Sequence, residues 1–480
     1  MNILPPALVK SALGGHKWVG LLCGALMYLV CLSGTLAVFY QEFERWEQAN
    51  IPESTTADSL ELEKRFNELL ADSANVTEHM YVLLPSVDHP RTVIANENEG
   101  WFISPDGSLL ENVAHDWTHM LLDLHLYLLL PESFGMIVVS LLGVLLCSLI
   151  FTGFLSHPRI FKDAFHFRNR GSRQLEQTDL HNRLSVWGAP FHLMIGMTGA
   201  YFGLVGMLVW LAASAFYDGD RQQVLESVFG SEPELHQQAG DFAIHRVLSD
   251  IKDIAPEARP LFITFHNVGE SNQFMELYAS QPGRLIYSEN YNFDTAGNYL
   301  GKDGFSDGGL GKQLVYSIYR LHFGHFAGLP VKLIYLVLGF ALIIVSVSGI
   351  NIWLSKRKIR DQINVLWSGI VWGLPLALTA SAISQVLFGL SALISFWLSL
   401  SLSIALCLRL QDASRSDVLL KTFLASLLLF LAGGHFYLFL SKGMSPVAVV
   451  INIVLLVMAV LLLATKNSNQ KKEKLNEKTQ

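Results

Sequence analysis

Hydrophobic residues along this chain fall into long uncharged runs broken by polar segments, the pattern of helices that cross a bilayer rather than of a soluble core. The runs at 18–41, 133–156, 184–217, 333–355, 422–441 and 446–465 each reach the roughly 20 residues that span a hydrocarbon layer. The run at 362–408 is long enough for two spans, so the pattern predicts eight transmembrane helices. The first run follows Lys10 and Lys17 and is too long for a signal-peptide core, so it is expected to stay as a helix.

Two long polar intervals carry a different pattern. In 41–118 a charged amphipathic stretch at 58–70 predicts a helix, followed by short strands at 80–84 and 91–95. A hairpin is expected at 101–110, where Asp106-Gly107 is a turn dipeptide. In 218–320 a helix is expected at 243–254, strands at 261–266, 274–278 and 284–287, and an aromatic strand, glycine turn and leucine at 291–300. The shared order predicts one small α+β module used twice.

The apolar runs repeat as well. From His16 to Gly34 is eighteen positions, and from His181 to Gly199 is again eighteen. Gly143 to Gly153 and Gly339 to Gly349 are both ten, with Leu124-His125 and Leu321-His322 ahead of them. The chain therefore reads as helix–module–helix in tandem and in one orientation, which predicts a pseudo-two-fold axis along the membrane normal. Residues 362–480 have no counterpart in this repeat.

Composition agrees with a polytopic membrane protein, with 51% hydrophobic and only 16% charged residues. The formal charge of −7 offers no basic surface for nucleic acid. Cys23, Cys31, Cys147 and Cys407 all lie in apolar runs, and their spacing gives neither a disulfide framework nor a zinc motif. Basic residues set the expected orientation. Arg159, Lys162, Arg168, Arg170 and Arg173 follow the second run, Lys356 to Arg360 follows the fourth, and Lys466, Lys471, Lys472, Lys474 and Lys478 lie in the tail. These segments and both termini are expected in the cytoplasm. Segment 41–118 has four basic residues against sixteen acidic ones and is expected to face outward, as is 218–320.

Sixteen histidines are present, and several sit at membrane depth. His16, His157 and His181 lie near the expected inner ends of spans, His119, His125, His322 and His325 near outer ends, and His192 within the third span. An imidazole in a bilayer is costly unless paired, so a set at two levels asks for a shared partner. Facing helices and neutral imidazoles, with no thiolate placed to join them, suit haem ligated by histidine from both sides. His181 and His192 are eleven residues apart, about 16 Å along one helix face, a spacing suited to two stacked haems. A polar core or a proton relay is compatible with the same spacing. By the repeat, His16 pairs with His181 on the inner side and His125 with His322 on the outer side, with His192 and His325 as further cofactor-binding candidates.

These residues resemble the PepSY-associated transmembrane family, also called iron-regulated membrane proteins, which includes inner-membrane ferric-siderophore reductases. The similar pieces are Gly15-His16-Lys17-Trp18-Val19-Gly20 with Ser33-Gly34, Leu124-His125, and Thr152-Gly153 with the segment from His157 to Phe165. Asp179-Leu180-His181-Asn182, Pro190-Phe191-His192 with Thr198-Gly199, and Leu321-His322-Phe323-Gly324-His325 complete an ordered set over residues 10–357. The resemblance implies a bacterial inner-membrane protein whose outward α+β modules are PepSY-like, so that the all-α bundle of about eight transmembrane helices read from the apolar runs carries two small PepSY-like domains on its outward side; the four spans after Ile359 are not part of the family's core pattern. It implies two b-type haems, with iron held by His16, His181, His125 and His322, that pass electrons across the membrane.

The implied organisation is a first helix at 1–40, outward domains at 41–118 and 218–320, helices two and three at 119–217, a fourth at 321–361, and four further spans and a tail at 362–480. The implied partners are the lipid bilayer, a ferric siderophore or other iron chelate, and an external donor, quinol or a cytoplasmic reductase, since no Gly-rich dinucleotide fingerprint is present. Two other readings fit the same chain: a non-enzymatic PepSY protein binding peptides or a regulatory partner, and a histidine-dependent transporter.

Overall fold

The computed structural model describes residues 4–157, 159–165, 173–357 and 359–477. Arg168, Arg170, Lys358 and Lys478 of the basic segments lie outside the described residues, as do the side chains of Arg173 and of 465–477. Two compact units are present. The first gathers residues up to 50, 115–203 and from 332 onward; the second gathers 51–114 and 204–331.

The first unit is helical. Its chain begins with α1 (Pro6–Ala37), opened by a proline in the first turn where its missing N–H is no loss, and the short α2 (Tyr40–Glu47) follows. In the second unit come α3 (Ser59–Leu70), β1 (Met80–Leu83), β2 (Thr92–Asn96), β3 (Gly100–Ile103) and β4 (Leu109–Asn112). The chain then forms α4 (Asp116–Leu126), α5 (Glu132–Ser156), α6 (Ile160–Asp163) and the long α7 (Arg173–Phe216). Next are α8 (Arg221–Phe229), α9 (Ile244–Ile254), β5 (Arg259–His266), β6 (Phe274–Ser280), β7 (Glu289–Phe293), β8 (Tyr299–Lys302) and α10 (Leu310–Phe323). The last five helices are α11 (Gly328–Lys356), α12 (Gln362–Ala382), α13 (Ala392–Leu410), α14 (Ala413–Phe439) and α15 (Pro446–Glu477).

Among the described residues, eight of these segments are long and apolar enough to cross a membrane, within α1, α5, α7 and α11 to α15. The run at 362–408 does divide in two. One π-helical turn (Ile383–Leu387) and Gly389 at φ +63° end the fifth span, and Ser391 caps the sixth through Ile394 N–H.

The tandem repeat reappears as symmetric packing. A Cβ on Gly143 of α5 would lie 2.7 Å from the Gly196 carbonyl oxygen of α7, and one on Gly339 of α11 would lie 2.5 Å from the Thr35 hydroxyl of α1. Glycine is required at both, because the helices touch backbone to neighbour there. The short α2 is fastened three ways. Glu42 pairs with buried Lys332 at 2.7 Å. The Trp46 indole donates to Asn452 Oδ1 at 3.0 Å. Glu47 caps the first turn of α4, accepting from Trp117 N–H at 3.0 Å and Thr118 N–H at 2.8 Å.

The second unit corrects the expectation of two separate modules. Its eight strands form one antiparallel sheet in the order β4-β3-β2-β1-β5-β6-β7-β8. Each polar interval supplies a four-stranded meander, and the equivalent strands β1 and β5 pair antiparallel, with Met80 opposite Phe265 and Val82 opposite Ile263. The repeat is thus a pseudo-dyad through the middle of one sheet. Helices α3 and α9 cover it with Leu62 and Phe66, and with Ile244, Val247 and Ile251 spaced to share a helix face.

Most strands lie where the alternation puts them, but the strand expected at 284–287 is not formed. The chain instead turns through Gly283 at φ +72°, and β7 resumes pairing only at Glu289, opposite Ala279. The boundary expected at 118 also moves: α2 and α4 belong to the helical unit, because Trp46, Trp117, Met120 and Leu121 pack into its core.

Candidate haem site

His16 on α1 and His181 on α7 are brought together, their ring centroids 6.2 Å apart and their planes crossing at 83°. Each ring is held in the same way by its own repeat. His16 Nδ1 lies 3.0 Å from the Leu149 carbonyl and 3.3 Å from the Thr152 hydroxyl of α5. His181 Nδ1 lies 3.0 Å from the Val345 carbonyl and 3.2 Å from the Ser348 hydroxyl of α11. Donation from Nδ1–H to a carbonyl fixes the tautomer and leaves Nε2 as the acceptor nitrogen of the ring. Gly153 and Gly349 complete the correspondence, since a Cβ on either would meet the Cε1 of His16 at 3.4 Å or of His181 at 3.3 Å.

The donor set provides a test of fit. Two imidazoles with Nδ1 turned to backbone carbonyls keep Nε2 as the remaining donor nitrogen of each ring, and haem iron takes such donors from histidine. The donor set at this pair fits a bis-histidine haem.

The other histidines are placed differently. His125 on α4 sets Nδ1 3.0 Å from the Val30 carbonyl of α1, and its ring fills the space over Gly34, where a Cβ would come within 2.4 Å of Cε1. It thus repeats the tethering of His16 and His181. His192 on α7 presents Nε2, rather than Nδ1, to the Leu338 carbonyl of α11 at 3.3 Å, and its ring lies over Gly188. Its repeat counterpart is Met27, so it stands outside the symmetric set. His322, in the last turn of α10, and His325, just beyond it, belong to the sheet-bearing unit, where Phe323 lies against both rings.

Two buried histidines, His115 and His435, escaped sequence reasoning. His435 of α14 is fully buried; its Nε2 lies 2.8 Å from the Trp46 carbonyl, its Nδ1 accepts from Asn452 Nδ2 at 3.0 Å, and its ring stacks on Trp46 at 4.7 Å. Both nitrogens are spent on the protein, which makes it a clasp between α2, α14 and α15 rather than a ligand. A lone histidine in an apolar run gives no sign of partners 389 positions away.

The sequence matches the family described as the PepSY-associated TM region over residues 14–356, well over half the chain and including every histidine compared above except His435. The chain belongs to the PepSY-associated transmembrane family. Helices α12 to α15 lie beyond the match. A relative, an uncharacterized protein of Pseudomonas aeruginosa, is 26% identical over 250 residues, which are 50% of this chain. The chain covers 63% of that relative's length.

Proposed function

We propose that this family member is an inner-membrane di-haem oxidoreductase of b type, reducing ferric iron, free or held in a siderophore-like chelate, on the outward face. The observation that carries the reading is the His16–His181 pair, 6.2 Å apart and symmetrically tethered through Nδ1. Haem bound there supplies a one-electron carrier within the bundle. The chain's own contribution is orientation: the Leu149 and Val345 carbonyls fix the tautomer and direction of each imidazole, and Gly153 and Gly349 keep the flanks clear of side chains. His125, tethered to Val30 in the same manner, is assigned to the second haem.

The meanders covered by α3 and α9 are read as paired PepSY-like domains facing outward, and the basic ends of α5, α11 and α15 as cytoplasmic, on the charge bias of the flanking segments. Electrons come from a quinol or a cytoplasmic reductase. Reduction releases iron because hard chelate oxygens hold ferric iron more strongly than ferrous. The visible spectrum of the purified protein tests the core of this reading. A Soret band with a sharp reduced α-band is expected; colourless protein from haem-replete cells overturns it. Mixing dithionite-reduced protein with ferric chelates tests the substrate, with haem reoxidation the expected result.

A further inference from the structure

A second constellation lies apart from the tethered histidines. Glu44 on α2, His115 at the N-cap of α4 and His119 one turn into that helix bring one ligand atom each within 4.8 Å of one another. His119 N–H donates to the His115 carbonyl at 2.8 Å, so the two imidazoles stand one helical turn apart, 6.3 Å between centroids with planes at 88°. His115 Nδ1 and Glu44 Oε1 are 3.8 Å apart, longer than a hydrogen bond. Two nitrogens and an oxygen bound to one tetrahedral ion at about 2.0–2.1 Å would lie about 3.3 Å from each other, so the group closes on an ion with a small rotamer change.

The scaffold under these residues is rigid. Glu47, one turn from Glu44, spends both carboxylate oxygens on the first turn of α4, and Phe43 and Trp46 pack edge-on against Trp117. The helices that carry the three ligands are thereby fixed to each other, with Glu47 occupied. Burial grades outward: His115 is buried, Glu44 half-buried and His119 exposed. An ion held there would have the protein on one side and water on the other. Asp116 is already engaged by Gln385 Nε2 at 2.6 Å.

We propose that Glu44, His115 and His119 form a binding site for one divalent first-row transition-metal ion, with at least one coordination position open to solvent. Two imidazoles with one carboxylate suit Zn²⁺ or Fe²⁺ and not Mg²⁺ or Ca²⁺, which take oxygen ligands. The site uses none of the residues assigned to haem, so it stands or falls independently of that reading.

The experiment uses full-length, tag-free protein in detergent, stripped with a chelator and titrated with Zn²⁺ by calorimetry. One ion per chain is expected in the wild type. Glu44→Gln and His119→Ala should each weaken it by more than about tenfold, and the His115→Ala/His119→Ala pair should abolish it. His236→Ala, at an exposed position of the other unit, should leave it unchanged. Because His119 is exposed and Glu44→Gln is nearly isosteric, both variants should keep the wild-type melting profile without metal. Absence of a stoichiometric wild-type site, or wild-type affinity in Glu44→Gln and His119→Ala, overturns the proposal and leaves Glu44 and His115 as neighbouring polar side chains.

Discussion

Replacing Glu47 should show how the short helices are held on the bundle. The carboxylate is 7% exposed and accepts from the backbone N–H groups of Trp117 and Thr118 and from the Thr118 hydroxyl. Thr118 is fully buried, so Glu47→Ala leaves buried donors in the first turn of α4 with no acceptor. Each orphaned donor costs about 1–3 kcal/mol, and relief of the buried carboxylate offsets part of the sum, leaving about 3 kcal/mol of net destabilisation. Glu47→Gln keeps one carbonyl acceptor and should cost about 1 kcal/mol.

The same residue carries a pH signature. Burial pushes the Glu47 carboxyl up from its ordinary 4.5 to about 7, against the hydrogen bonds from Thr118 and Trp117. A folded-state value above the unfolded one means that the folded protein binds the proton more tightly. The associated stability is therefore fully present below about pH 4.5 and is lost as pH rises through about 7, worth about 3 kcal/mol in all. Thermal unfolding in detergent, scanned from pH 5 to 8, reads both effects. The wild-type midpoint should fall across that range and Glu47→Gln should flatten the slope. An Ala midpoint within error of wild type, or an unchanged slope in Gln, would refute this account of the cap.

Further expectations rest on single contacts. His435→Leu should lower the melting midpoint by the equivalent of about 2–4 kcal/mol, because the Trp46 carbonyl and Asn452 amide lose buried partners; a midpoint equal to wild type would argue against the clasp. Gly349→Ala, whose Cβ would sit 3.3 Å from His181 Cε1 and press on the ring, should shift the Soret band, whereas Gly349→Leu should bleach it at full expression. Ile263→Ala, under the β1–β5 seam, should cost about 2–5 kcal/mol in stability, read by proteolysis of the sheet unit. Single cysteines at Glu97 and Arg357 should label from opposite sides of the membrane, Glu97 from outside.

The spans were legible because a lipid-facing helix is apolar over uninterrupted stretches, so run length alone locates α5, α11 and α15. The fixed intervals from His16 to Gly34 and from His181 to Gly199 exposed the repeat, and with it the pair that the fold brings together. Short amphipathic helices beside the spans were hidden: α2 and α4 look like polar linker until Trp46 and Trp117 are seen to enter the core. The joining of the two meanders was invisible for a different reason. A β1–β5 pairing links residues about 180 positions apart, and nothing in either strand's alternation names its partner. Glu44 is separated from His115 and His119 in the same sense, although the one-turn spacing of those two histidines is plain in the chain.

The most direct test of the central claim is the pyridine-haemochrome ratio of purified wild type beside His16→Ala, His181→Ala and His125→Ala. Two haems per chain are predicted for the wild type. His16→Ala and His181→Ala should each lose the same one, and His125→Ala the other, because one missing histidine ligand leaves a weakly held iron. Wild-type protein without haem, or a full complement retained in both His16→Ala and His181→Ala, would contradict the assignment of the 6.2 Å pair as haem ligands.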